Sequence, residues 1–175
     1  MTEPETQRLF FALWPDERQR RQMEEYFALL RGCGGRRVHT ENLHITLAFL
    51  GSVDTETHRC MERAADAISL PSFSVTLDRL GFWRRPRVVW LGNEETPAGL
   101  AALVAELKKA MLGCSLEPDS RAFRTHLTLM RKARRYPRVP EVPVLEWPVK
   151  SFALVASETS REGVIYKVLR SWELG

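Results

Sequence analysis

Residues 41–51 read ENLHITLAFLG, and residues 126–129 return to the same pattern, HLTL against HITL at 44–47. In the first copy Leu43, Ile45, Leu47 and Phe49 alternate as the apolar face of a strand. His44, Thr46 and Ala48 then point to the other face. A single His-x-Thr on a half-buried strand reads as an ordinary surface pair. Its recurrence changes that reading. The chain has four histidines in 175 residues, and two of them sit in matching strands roughly half a chain apart. Such a repeat points to an internal duplication, which would bring two histidines to face each other across a two-fold cleft.

The length fits one domain, or two small lobes sharing a core. A hydrophobic content of 44% and a charged content of 27% are those of a soluble globular chain. No apolar run approaches the ~20 residues a membrane-spanning helix needs. The opening MTEPETQRLFFALWPDE is polar and acidic, and its apolar run, Leu9 to Trp14, is too short and wrongly flanked for a signal peptide. It reads as a first strand. Cys33, Cys60 and Cys114 are scattered, with no Cys-x-x-Cys pair. An odd, sparse set argues for a reducing compartment and against a disulfide framework or a zinc site, so a cytoplasmic protein is expected.

The net charge of +4 is carried by 21 arginines and only 5 lysines. Arginine is the better fork for phosphate oxygens, although a G+C-rich genome also favours it. Position says more than count. Arg84, Arg85 and Arg87 share one loop, and Arg131, Lys132, Arg134, Arg135 and Arg138 come directly after the second motif. Charge runs are usually solvated faces. One that abuts a candidate site suits a polyanionic substrate.

Along the chain, residues 8–14 read as a strand, and Pro15-Asp16 open a helix with Arg20 to Leu30 as its body and GCGG (32–35) as its stop. The first motif is a strand ending at Gly51. Asp54 caps a helix through about Leu70, stopped by Pro71. Residues 73–83 and 87–93 read as two strands joined around Arg85-Pro86, and Thr96-Pro97 open a helix to about Leu112. After the second motif, Pro137 to Pro148 reads as a basic loop, and strands 149–158 and 164–174 finish the chain around Gly163. The order β-α-β-α-ββ-α-β-ββ predicts an α+β fold with antiparallel pairing and helices outside, not a doubly wound parallel sheet.

Two imidazoles in one cleft can hold opposite protonation states near neutrality, one as base and one as acid. A threonine two residues along each strand, about 7 Å away, can donate to an oxygen of the group held between them. This set suits in-line displacement at phosphorus. No serine or carboxylate sits in a matching motif, which disfavours a Ser-His-Asp triad. Threonine is a poor metal ligand and no carboxylate accompanies either histidine at ligand spacing, so neither a metal nor a cofactor is expected.

The HITL and HLTL pair resembles the two His-x-Thr-x motifs of the two-histidine phosphoesterases. Within that superfamily the chain is most similar to the bacterial RNA 2′,3′-cyclic phosphodiesterases, historically called 2′-5′ RNA ligases. The resemblance runs through RLFFALWPDE (8–17), ENLHITLAFLG (41–51), GFWRRPRVVWLG (81–92), FRTHLTLMRK (123–132) and FALVASETSREGVIYKVL (152–169). It implies a single bilobal domain over residues 1–175, pseudo-two-fold and α+β, with antiparallel sheets lining a central cleft. It implies that His44 is the proton donor to the ribose O3′ and His126 the proton acceptor that activates water. Thr46 and Thr128 would donate to the phosphate, and Arg131, five residues after His126, would bind it. Position 49, the counterpart of Arg131, is Phe, so the site is chemically asymmetric. Arg131 has the wrong parity to join His126 in a regular strand and needs the strand to end or bulge after Leu129. His39 and His58 match neither motif and are expected at the surface.

The expected activity is metal-independent hydrolysis of RNA 2′,3′-cyclic phosphate ends, or of nucleoside 2′,3′-cyclic phosphates, to 2′-phosphomonoesters. The competing readings are the reverse reaction, 2′-5′ ligation of RNA ends, and an RNA- or nucleotide-binding module without turnover. No membrane and no obligate protein partner are expected.

Overall fold

The structure, a computed structural model, describes residues 5–175; the first four residues of the polar opening lie outside it. The first strand, β1 (Gln7–Leu13), alternates as its sequence does. Leu9, Phe11 and Leu13 enter the main core, while Phe10 and Ala12 belong to a small cluster on the opposite face. Asp16 then starts α1 (Glu17–Glu24) through a capping box. Its Oδ1 accepts from the Gln19 N–H at 2.7 Å, and the Gln19 Oε1 accepts from the Asp16 N–H at 2.8 Å. The helix expected to reach Leu30 tightens at Glu25 into a 3-10 turn, Glu25–Leu30, which buries Tyr26, Phe27 and Leu30.

The next elements are β2 (Arg36–Arg37), β3 (Ile45–Val53) and α2 (Thr55–Asp66), the last capped by Asp54 accepting from the Thr57 N–H at 2.8 Å. Helix α2 stops short of the expected Leu70, because Ile68 and Leu70 leave it to pack against the core. Residues 73–83 divide at Asp78, whose N–H donates to the Gly92 carbonyl at 2.9 Å. The first part is β4 (Phe73–Leu77), and the second, β5 (Arg79–Trp83), forms a hairpin with β6 (Val88–Gly92). Helix α3 (Ala98–Gly113) and strand β7 (His126–Arg131) come next. The segment 137–148, expected as a loop, contains most of β8 (Leu145–Val149), which pairs with β4. Its Pro148 is tolerated because this two-stranded ribbon is all edge. Strands β9 (Ser151–Ser160) and β10 (Gly163–Glu173) complete the chain.

The fold is α+β, and every strand pairing is antiparallel. The main sheet runs β10-β9-β1-β3-β7-β6-β5, with β2 also on β7. One face carries the core with α2 and α3 against it. The other carries Phe10, Ala12, Ala153 and Val155, with Trp14 and Tyr166 packed on them.

The expectation about the cysteines is corrected. Cys60 of α2 and Cys114, just after α3, form a disulfide with their Cα atoms 5.8 Å apart, while Cys33 is free and buried. Pairing depends on which helices dock, and spacing along the chain carries no sign of that. Among the described residues, no helix is long and apolar enough to cross a membrane.

Candidate active site

Strands β3 and β7 meet at a single pair, Ile45 opposite Leu127, and both side chains are fully buried. The residues on either side of that pair therefore turn to the opposite face, where His44, Thr46, His126 and Thr128 are all half-buried. The antiparallel register sets Thr46 beside His126 and His44 beside Thr128.

A bulge comes after each threonine. Ala12 pairs with Thr46 but Phe11 pairs with Ala48, so Leu47 is the extra residue. Trp90 pairs with Thr128 but Val89 pairs with Met130, so Leu129 is the extra residue. Two successive residues are buried at each bulge, and the residues beyond it have reversed parity. Phe49 consequently leaves the core face on which alternation puts it and stands 49% exposed beside the histidines, whereas Ala48, expected on the outer face, is buried. The same reversal turns Arg131 towards the histidine face.

Both imidazoles are held in one way. The Nδ1–H of His44 donates to the Asn42 carbonyl at 2.6 Å, and that of His126 donates to the Arg124 carbonyl at 2.9 Å. Each bond leaves Nε2 free to accept or deliver a proton on the site side. The Thr46 Oγ1 lies 3.0 Å from the His44 Nε2.

The surroundings of the two rings differ. His44 stacks on Trp14 at 5.5 Å and touches Phe10 at 5.0 Å and Tyr166 at 5.2 Å. Burial in this aromatic nest, with His126, Arg131 and Arg20 adding positive charge, brings its pKa from 6.5 down to about 4, against the opposing bond to Asn42. The Arg20 Nη1 donates to the Thr40 carbonyl at 2.7 Å, and its guanidinium lies 5.2 Å from the Trp14 ring. His126 has Trp83 edge-on at 4.8 Å, backed by Trp90. Its pKa is also lowered, first by burial and then by Arg131.

Beside His126 and Thr46 opens a cavity of about 590 Å³ whose lining includes the apolar Phe49, Trp83, Met111 and Phe123 and the charged Lys108, Asp119, Arg121 and Arg124. Sequence reasoning did not single out Trp14, Tyr166, Trp83 or Arg20. Trp14 was within reach of it, since it shares the parity of Phe10 and Ala12. Tyr166 carries no local signal, because it comes from the last strand. His39 is exposed, and His58 is half-buried with its Nε2 3.6 Å from the Glu62 carboxylate. Neither joins the site. Among the described residues, no three His, Cys, Asp or Glu side chains come together as a metal site.

The sequence matches the family model described as LigT like phosphoesterase twice, over residues 13–90 and 91–166. It is 38% identical over 177 residues to the RNA 2′,3′-cyclic phosphodiesterase of Escherichia coli K12, a match covering 99% of each chain. It is 34% identical over 180 residues to the protein of the same name from Archaeoglobus fulgidus, covering 95% of this chain and 99% of the relative. The fold is similar to the crystal structure of E. coli LigT in its apo form, with a TM-score of 0.87 at 36% identity, covering 97% and 98% of the two chains. The complex of that protein with 3′-AMP superposes with a TM-score of 0.89 at 36% identity, covering 97% and 99%.

Proposed function

The chain belongs to the LigT-like phosphoesterase family, and from that premise we propose that it is an RNA 2′,3′-cyclic phosphodiesterase, opening terminal cyclic phosphates to 2′-phosphomonoesters. The observation that carries the reading is the matched pair of imidazoles, each with Nδ1 tied to the carbonyl two residues before it and Nε2 turned to one shared face.

In this reading the two repeats act as one bilobal unit with the site where β3 meets β7. Water attacks the phosphorus and gives its proton to the His126 Nε2, and the P–O3′ bond breaks as O3′ takes a proton from the His44 Nε2. The products are a 2′-phosphomonoester and a 3′-hydroxyl. Thr46, Thr128 and Arg131 hold the non-bridging oxygens, and the Thr46 hydroxyl exchanges its contact with His44 for the phosphate. The His44 ring is a weak base in the free site, so the anionic substrate must itself favour its charged form. Each ring is asked for roughly 10²- to 10⁴-fold of rate. The apolar cavity beside Phe49 and Trp83 receives the terminal nucleoside. The substrate class is RNA ends or nucleoside 2′,3′-cyclic phosphates, and a cytoplasmic location rests on that RNA substrate, since the Cys60–Cys114 bond removes the argument from the cysteines.

The test is to incubate the protein with an oligonucleotide ending in a 2′,3′-cyclic phosphate and identify the product terminus. A 2′-phosphomonoester is expected. A 3′-phosphomonoester, or an unchanged end, would overturn the reading.

A further inference from the structure

Strand ends and loops gather arginines along one edge of the site, the edge on which Arg131 lies. Arg36 is the cross-strand partner of Arg131, and the Ala133 N–H donates to the Arg87 carbonyl at 3.0 Å. The N–H groups of Arg134 and Arg135 both donate to the Cys33 carbonyl, at 2.7 and 3.2 Å. Backbone contact thus brings β2, the end of β7 and the β5–β6 hairpin tip into one rim. At Gly35 a Cβ would lie 2.6 Å from the Arg131 carbonyl oxygen, so glycine is what lets β2 approach this closely.

The charge on this rim is unbalanced. Residues 31–40, 80–93 and 125–140 hold 11 of the chain's 26 basic side chains, with Glu41, Glu94 and Glu141 directly after the three stretches. Among the described residues the ion pairs all lie elsewhere, so none of these 11 is paired. Like charge without ion pairs opposes compact folding, and of these side chains Arg37 has a packing partner in the Phe27 ring, 5.5 Å from its guanidinium. A bound polyanion would supply the missing counter-charge. Tyr136 stands 55% exposed in the same rim, fixed by its hydroxyl bond to the Leu80 carbonyl at 3.3 Å and by the edge of Phe82 at 6.4 Å. Basic side chains interleaved with a presented aromatic ring suit single-stranded nucleic acid, whose bases stack while its phosphates pair.

We propose that this rim is a track for the RNA backbone. It holds the phosphates of the nucleotides preceding the cyclic end, with Arg131 at the junction between track and reacting phosphate. The proposal rests on the phosphodiesterase reading and deepens it, because it makes a polynucleotide end, rather than a free nucleotide, the preferred substrate. Three neighbouring strand ends at ~4.8 Å spacing span about 10 Å. That is the axial length of about three phosphates on one strand of a helix.

The test compares cytidine 2′,3′-cyclic phosphate with a fluorescein-labelled hexanucleotide bearing the same end, using turnover and fluorescence anisotropy between 50 and 300 mM salt. The double variant Arg36→Ala/Arg84→Ala changes two elements of the rim and spares the proposed catalytic set. It should bind the hexanucleotide about 10-fold more weakly and flatten the slope of log affinity against log salt by about 1.4, two contacts' worth for single strands. Turnover of the mononucleotide should not change. Equal loss on both substrates, an unchanged hexanucleotide affinity, or equal competition by poly-aspartate would each overturn the track. Should the wild type hydrolyse neither substrate while the hexanucleotide still binds and the variant weakens it, the phosphodiesterase reading fails and the track stands.

Discussion

The two His-x-Thr motifs share a backbone and differ in their surroundings. Each strand bulges after its threonine, and each bulge returns the residue five places after the histidine to the site face. At that equivalent position the first motif has Phe49 and the second Arg131. The first histidine lies in a nest of Phe10, Trp14 and Tyr166, and the second has Trp83 at its edge and the cavity beside it. Duplication supplied two copies of one geometry, and the flanking side chains made them chemically unlike. Coupled rings lose their protons in two steps, so one can be neutral while the other is charged, and the unlike surroundings bias which ring holds the proton.

The largest effect expected is from the rings themselves. His44→Ala and His126→Ala should each cost roughly 10²- to 10⁴-fold in kcat while leaving the circular dichroism spectrum unchanged. Wild-type turnover in either variant would show that the matched geometry is not catalytic. Next comes the residue pair after the bulges. Arg131→Gln removes a charged donor to the phosphate, and about 10- to 100-fold should be lost from kcat/KM. Losing this positive neighbour should also raise the pKa of both histidines, which proton NMR titration can read ring by ring. A variant with unmoved histidines and unchanged kcat/KM would place Arg131 outside the site.

The fold was legible in the sequence wherever a pattern was local. Alternation marked the strands of both motifs, and Asp16 and Asp54 marked helix starts that the structure caps as expected. Local patterns failed where a distant partner decided the outcome. Strand β8 exists because β4 lies beside it, and the Cys60–Cys114 bond exists because α2 and α3 dock. The parity of Arg131 is instructive. Alternation alone turns it away from His126, and the bulge that corrects this is visible only in the register with β6. Phe49 shows the same effect in reverse, being apolar by type yet facing the site. The aromatic nest of His44 draws on the last strand and could not be read from the motif.

Two smaller effects sharpen the contrast between the halves. The disulfide ties α2 of the first repeat to the residue just after α3 in the second, across 54 residues of sequence. Replacing both cysteines by serine should lower stability by up to about 4 kcal/mol, measured by urea unfolding, with little change in turnover at 25 °C. Unchanged unfolding would mean that docking of the helices alone holds the halves together. Trp14→Leu should loosen the nest and move the His44 pKa from about 4 back towards 6.5, with His126 little affected. A histidine held below its unfolded pKa favours the folded state fully above pH 6.5 and loses that contribution as the pH falls towards about 4. Trp14→Leu should therefore be less sensitive to acid over this interval than the wild type, relative to its own stability at pH 7.

The division of labour between the two rings is tested most directly by the pH dependence of kcat/KM in the wild type and in both histidine variants. The wild type should give a bell whose limbs belong to the coupled pair. The residual activity of His44→Ala should lose the alkaline limb, because no donor then needs its proton, and that of His126→Ala should lose the acid limb. Loss of the opposite limb in each variant would exchange the roles of His44 and His126. A flat wild-type profile from pH 5 to 9, with chemistry shown to be rate-limiting, would contradict acid–base catalysis by this pair.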